Sequence, residues 1–415
     1  VGERAPGGRF RSTLAVVVGV GAIVRITRLL VSKWNEPLLL NDSLYYSIQA
    51  SQLAHGIWFH EPFSNQPGAE HGPLTSLLMA TVSWGNDPVN RQRLITVACG
   101  VATVAMIGLV ARRLAGPHTG IVAALIAAVY PNLWASDGLV MSESVSCLLV
   151  AATLLTAVRW IEAPSVGRAA AIGAVVGLAT LARSELVLFA PLVAVVLLLI
   201  GRRRKLRVGR QVLVALAVTA AVIGPWVGFN ATRFDKPVLL TTNDGPLLLG
   251  TNCGEAYYGP ALGGWSLYCV VNAHVGENGV DASVRSAQQR RQGLSYARHH
   301  IGRWPVVVAA RLARSFDVYE VGNLVHNDVG EERERAVSWA GVITFWCLLP
   351  LAVAGGRRLP RAHLAVTLMP VMVVLFTTVV FYGGHRMRSS AEPVIAVLAA
   401  VSVAGVARVR RSIPL

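Results

Sequence analysis

The feature that most constrains this chain is a series of apolar runs, each about as long as a bilayer is thick, separated by short loops rich in arginine. A helix of about twenty apolar residues spans the hydrocarbon core, and inside lipid the backbone must satisfy its own hydrogen bonds. Runs of this kind are read at about 13–31, 93–111, 119–135, 140–158, 169–183, 186–201, 211–228, 338–354, 363–381 and 391–407. The fold class that follows is an all-α polytopic membrane protein of about ten transmembrane helices. Composition agrees: 53% of the 415 residues are hydrophobic and only 14% charged, with a mean hydropathy of +0.52.

The formal charge of +16, from 38 Lys+Arg against 22 Asp+Glu, would suggest a nucleic-acid partner in a soluble protein. Here the basic residues lie between apolar runs, where the positive-inside rule puts them, so no nucleic acid is expected. Arg4, Arg9 and Arg11 precede the first run, and Arg112, Arg113, Arg159, Arg168 and the cluster Arg202 to Lys205 mark later cytoplasmic loops. No cleavage site follows the first run, which is read as a retained span with Arg25 and Arg28 snorkelling to the interface. The basic tail, Arg408, Arg410 and Arg411, puts the C-terminus in the cytoplasm as well.

This alternation divides the chain into an N-terminal transmembrane module over 1–229, a long extracytoplasmic loop over 230–337, and C-terminal transmembrane helices over 338–415. The first outer loop, 34–90, is acidic, with Glu36, Asp42, Glu61, Glu70 and Asp87, and Pro73 to Trp84 reads as a helix lying at the membrane surface. There is no phosphate-cradling glycine loop, zinc-type Cys/His spacing or internal repeat.

Asp42 is the leading candidate functional residue. It stands just beyond the first span, and Tyr46, Ala50 and Leu53 after it share one helical face, with Gly56 where that helix would stop. Asn41, Asp42 and Ser43 are all good N-cap types, so Asp42 could equally serve as a cap. In the long loop, Cys253 and Cys269 could form a disulfide if the loop faces an oxidising compartment. That loop is rich in Gly, Asn and aromatics, as suits a folded loop offering hydrogen bonds and ring faces to a sugar, although glycine-rich turns need no ligand; Tyr257 and Tyr258 there, with Tyr45 and Tyr46, are candidate acceptor or substrate contacts. Farther on, Val306, Ala309, Leu312, Ala313 and Phe316 alternate with Arg303, Arg311 and Arg314. That spacing fits a helix lying in the membrane interface with its arginines on anionic head groups, and equally a plain solvated basic face.

Four local patterns, in this order, resemble the polyprenyl-phosphate-sugar-dependent glycosyltransferases of the GT-C superfamily, the group of protein O-mannosyltransferases and the aminoarabinose transferase of lipid A. They are Asp42 with Tyr46, Ala50, Leu53 and Gly56; His71-Gly72-Pro73-Leu74; Gly224-Pro225-Trp226 with Asn230, Arg233, Phe234, Pro237, Val238, Asn243 and Gly245; and His385-Arg386-Met387-Arg388 with Ala391-Glu392-Pro393. Glu143, after Met141 and Ser142, resembles an acidic position at an outer span entry. The family often has two adjacent acidic residues where this chain has Asp42-Ser43, which bears on metal binding. It also has a lysine or a second proline that the His71 turn lacks, which bears on the grip on the donor phosphate.

The resemblance implies a GT-C-like bundle that transfers a sugar, hexose or pentose, from a polyprenyl monophosphate to an envelope glycan, lipid or protein acceptor. Transfer takes place on the outer face of a bacterial inner membrane, with inversion at the anomeric carbon. Asp42 would be the base. Arg386 and Arg388, with His385, His71 and Arg233, would bind the donor phosphate. Glu143 would bind the acceptor, hold a metal or tune Asp42, and a divalent cation near Asp42 is the one cofactor left open. Two rivals compete. A transporter or flippase for lipid-linked sugar would show inverted repeats or matching broken spans, and neither is present. A diphosphate-donor polysaccharide polymerase or ligase would need no base at Asp42.

Overall fold

The computed structural model describes residues 6–62, 64–273 and 280–405; Arg4 and the basic tail at Arg408, Arg410 and Arg411 lie outside the described residues. Among these, helices account for all the regular structure, apart from one isolated bridge between His60 and Pro67. The helices hold all ten apolar runs, as far as these are described, and also segments of the loops between them. In chain order they are α1 (Pro6–Arg28, continued by a π-turn to Lys33), α2 (Asp42–Ala54), α3 (Pro73–Ala80), α4 (Val89–Ala115), α5 (Pro117–Val129), α6 (Glu143–Glu162), α7 (Val166–Ala182), α8 (Phe189–Arg203, entered through the 3-10 turn Ser184–Leu188) and α9 (Gly209–Ala231). The long loop folds into α10 (Asp244–Thr251), α11 (Ala282–His299), α12 (Trp304–Ser315) and α13 (Val321–Gly330). The chain closes with α14 (Arg335–Gly356), α15 (Arg361–Thr367), α16 (Met369–Val380) and α17 (Glu392–Val403).

Six of these segments are long and apolar enough to cross a membrane, and α15 with α16, bent by 44°, makes a seventh if the pair is one span. The sequence reading of about ten spans rests on runs that are not all of that length. The 13 residues of α5 reach only about 20 Å at about 1.5 Å per residue. Its start is set by Gly116, whose φ of 96° is open to glycine, and by Pro117. Its end is set by Pro131, which begins a new turn.

The core is built where α4 packs against α1, α5, α6 and α17, with α7 on α6 and α9, and α14 on α17. Val104, Ile107, Ala124, Ala128, Val150, Leu154, Ala396 and Val397 fill it. Arg25 and Arg28 do not snorkel. Arg25 is buried against Asp137 at 2.6 Å and donates to the Ala127 and Ala128 carbonyls. Arg28 pairs with Glu334 at 2.7 Å and donates to the Asp137 carbonyl. Both tie α1 to segments far along the chain, because a guanidinium with satisfied donors is better held inside the bundle than drawn out alone.

Candidate active site

A cavity of about 330 Å³ opens at the N-terminus of α2. Asn41, not Asp42, is the cap of that helix: its side-chain oxygen accepts from the Ser43 N–H at 2.8 Å. Asp42 is thereby left in the first helical turn with its carboxylate in the cavity, where the helix dipole favours a negative charge. His71 arrives from the turn before α3. Gly72 makes that placement possible, because a side chain there would collide with the Leu181 carbonyl at the end of α7. The imidazole stacks on Tyr46, centroids 4.8 Å apart. Its Nε2 lies 3.4 Å from Asp42 Oδ1, within ion-pair reach but without a hydrogen bond.

Arg386, on the single turn His385–Arg388, holds the acidic side of the cavity together. Its guanidinium pairs with Asp42 Oδ2, with Glu143 Oε1 at 2.5 Å and with Glu331 Oε1 at 3.4 Å. Glu143, buried at the start of α6, also accepts from Arg183 at 2.9 Å, and Arg183 in turn pairs with Glu185 at 2.5 Å. The lining is also partly apolar, with Val187 and Leu188 from the entry to α8, Phe376 from α16, and Phe381, Leu247 and Met387. A charged recess with a partly apolar lining suits an anionic head group carried on a hydrocarbon tail.

Burial pushes the Asp42 carboxyl up, but Arg386 and then His71 outweigh it and hold it well below the usual carboxylate range. Burial pushes His71 down, and Asp42 and Glu70 reverse this, so its pKa is raised. Burial raises Glu331 despite Arg386 and Arg333. Tyr382, also in the wall, is pushed up to about 12 by burial and stays a neutral donor. In this state Asp42 is a firmly ionised but weak base, because the cations beside it stabilise the form that has already lost its proton.

The sequence candidates divide. Asp42, His71, Tyr46 and Arg386 line the cavity, and Glu143 stands directly behind Arg386. The others lie elsewhere. Arg388 is buried, paired at 2.7 Å with both Asp317 and Glu392 and lying over the Phe345 ring, so it cannot reach a ligand in the cavity. His385 sits between Asp317 and Asp328, one ring nitrogen 2.7 Å from each. Arg233 donates to the Phe59 and Gly68 carbonyls and stacks over Phe229. The Tyr45 hydroxyl accepts from the Glu70 N–H and from Gln49. Tyr257 is buried and donates to Asn252 at 2.9 Å, whereas Tyr258 is exposed under Arg303.

Cys253 and Cys269 are disulfide-bonded. α12 also departs from expectation, since Arg311 and Arg314 point inward and are buried while Val306, Ala309 and Phe316 are exposed. Reading the sequence missed Arg183 as a site residue, although an arginine at an outer turn was the signal used for Arg386. Among the described residues no group of three or more His, Cys, Asp and Glu is placed to hold a metal ion. Asp42 and Glu143 both face the Arg386 guanidinium.

The family model for dolichyl-phosphate-mannose-protein mannosyltransferases matches residues 70–229, from the His71 turn to the end of α9. No curated protein matches the sequence. The fold is similar to that of the oligosaccharyltransferase AglB from Archaeoglobus fulgidus, solved with an inhibitory peptide and a dolichol-phosphate (TM-score 0.59, 14% identity). That match covers 95% of this chain and 50% of the other, so the chain spans about half the length of that relative. Also similar are ArnT from Cupriavidus metallidurans bound to undecaprenyl phosphate (TM-score 0.45, 16% identity, 96% of this chain and 78% of that one) and the S. cerevisiae Pmt1-Pmt2 complex bound to its sugar donor (TM-score 0.44, 14% identity, 58% and 36%). The resemblance to GT-C glycosyltransferases read from the motifs is thus borne out, and the chain is a multi-pass membrane protein with an all-helical fold of that kind.

Proposed function

We propose that the chain is an integral membrane glycosyltransferase of GT-C type, with its cavity on the outer face of a bacterial inner membrane. It moves a sugar from a polyprenyl monophosphate to an envelope acceptor, a glycolipid, polysaccharide or protein. The observation that carries this reading is the shared guanidinium: Arg386 pairs with Asp42 in the cavity and with the buried Glu143 behind it, in a recess that is also lined by apolar side chains.

Donor phosphate entering this recess competes with Asp42 for Arg386 and His71. Arg386 can turn its fork to the phosphate oxygens, and Arg183 and the Tyr382 hydroxyl stand in the same wall. As the phosphate draws these cations off, Asp42 loses the charges that depress its pKa and becomes a better base. Asp42 then takes the acceptor hydroxyl's proton while the hydroxyl oxygen attacks the anomeric carbon. The bond from that carbon to the phosphate oxygen breaks on the opposite side, giving inversion, and its electron pair leaves with the phosphate. The cations stabilise that growing charge more in the transition state than in the ground state.

The test is transfer in lipid nanodiscs from a panel of labelled polyprenyl monophosphate and diphosphate sugars to an envelope-lipid extract, with wild type and Asp42→Asn side by side. The expected result is transfer by wild type that a folded Asp42→Asn variant loses. Full activity in that variant would remove Asp42 from the chemistry. Transfer only from diphosphate-linked donors would replace the monophosphate reading with the polymerase one.

A further inference from the structure

α12 has its amphipathicity turned round. Along its length Val306, Ala309 and Phe316 make an exposed stripe, joined by the exposed Trp304 and Val318 at its ends. Its arginines face the protein. Arg311 is fully buried and donates to the Val379 and Val380 carbonyls, at 2.7 and 3.0 Å, and to the Thr251 carbonyl at 2.9 Å. The first two of these are orphan carbonyls at the C-terminus of α16, where a helix end favours a cation. Arg314 donates to the Leu262 carbonyl at 2.7 Å. Val307, on the same inward side, packs on the disulfide-bonded segment beside Cys253, Ala256 and Tyr257.

A helix at a water-facing surface would place these faces the other way, since exposing an apolar stripe to water while burying guanidinium groups is unfavourable on both counts. The segments beside it expose apolar residues of their own. Phe316 packs 6.5 Å from Phe345 of α14, a segment long enough to span, whose Ile343 and Trp346 are exposed. α12 itself packs on α16, whose Met372 and Phe376 are exposed.

We propose that α12 lies in the outer leaflet with its Val306–Ala309–Phe316 face among the acyl chains, so that lipid is the partner of this surface. Arg311 and Arg314 fix the depth by locking the helix to the end of α16 and to the disulfide-bonded loop. α12 packs on the end of α16 through Arg311 and Ser315, and α16 also supplies Phe376 to the cavity.

The experiment needs no activity. Cys99, Cys147 and Cys347 are replaced by alanine, the disulfide is kept, and a nitroxide is attached at Ala309→Cys or, separately, Val306→Cys in lipid nanodiscs. Power saturation compares oxygen, which enters acyl chains, with a water-soluble nickel chelate. Val16→Cys on α1 serves as the lipid reference and Ser295→Cys on α11 as the water reference. At 306 and 309 the expected result is oxygen access well above nickel access, by several-fold, as at Val16. Nickel access at both positions equal to that at Ser295 would overturn the proposal. Two positions are used so that the result does not rest on one label's tolerance.

Discussion

Replacing Asp42 with asparagine should tighten donor binding while it abolishes transfer. In the structure Asp42 and Arg386 form an ion pair, and His71 sits 3.4 Å from the other carboxylate oxygen. A bound phosphate must take those cations from Asp42 and then lie beside its negative charge. Two unit charges about 4 Å apart attract by about 4 kcal/mol at an effective dielectric constant of about 20. Most of this is not recoverable by the phosphate, because Arg386 keeps Glu143 and Glu331 and the Asp42 side chain is 26% exposed. About 1 to 1.4 kcal/mol remains, a Kd about 5- to 10-fold lower for the variant. Transfer should fall by a factor of about 10² to 10⁴, the usual size of a lost general base. Equilibrium binding of a fluorescent polyprenyl monophosphate in nanodiscs at neutral pH measures the first, and the labelled-sugar assay the second. If a folded Asp42→Asn protein binds the monophosphate as weakly as wild type, or more weakly, then the carboxylate and the phosphate do not compete for Arg386 and the reasoning fails.

Other outcomes follow from the same geometry. Glu143→Gln keeps the shape but halves two charge-assisted hydrogen bonds, a destabilisation of about 2 to 3 kcal/mol; a melting temperature equal to that of wild type would contradict the role given to Glu143. Arg183→Gln leaves Glu143 with Arg386 alone and removes a cation from the cavity wall, so the donor KM should rise about 10-fold, or about 1.4 kcal/mol. Initial rates against donor concentration measure this. His385 is held as an imidazolium: burial lowers its pKa, but the hydrogen bonds to Asp317 and Asp328 raise it to about 9. Because the folded value lies above the unfolded one, about 6.5, its stabilisation is full below that and fades as pH rises through about 9. The melting-temperature gap between wild type and His385→Asn should shrink over that interval, and a constant gap would count against the imidazolium. Reducing Cys253–Cys269 should speed hydrogen exchange in 253–269 while α4 and α6 stay protected, and uniform protection after reduction would contradict this.

The helices were legible because apolar run length and basic loops are local signals, and the helices hold every run as far as it is described. Which helices reach across was less so, since Gly116, Pro117 and Pro131 shorten α5 in ways hydropathy does not weigh. Asp42 stood out as a carboxylate just past a span, where sequence alone left capping as the other explanation; Asn41 rather than Asp42 caps the helix. Arg386 and Arg388 looked alike in sequence. Two positions apart on a helical turn, they point about 200° from each other, so when Arg386 faces the cavity Arg388 must face Asp317 and Glu392. Arg183 carries the same outer-arginine signal, at the end of the apolar run read at about 169–183. For α12 the sequence shows two stripes and not which one is buried; that is decided by carbonyls at Thr251, Val379 and Val380, remote in the chain.

The most direct measurement is a cryo-electron microscopy structure with polyprenyl monophosphate bound, in lipid. The account predicts phosphate oxygens within hydrogen-bond distance of Arg386 and His71 Nε2, the tail along Leu188 and Phe376, and Asp42 released from Arg386. A phosphate bound elsewhere, with the Arg386–Asp42 pair intact, would contradict it.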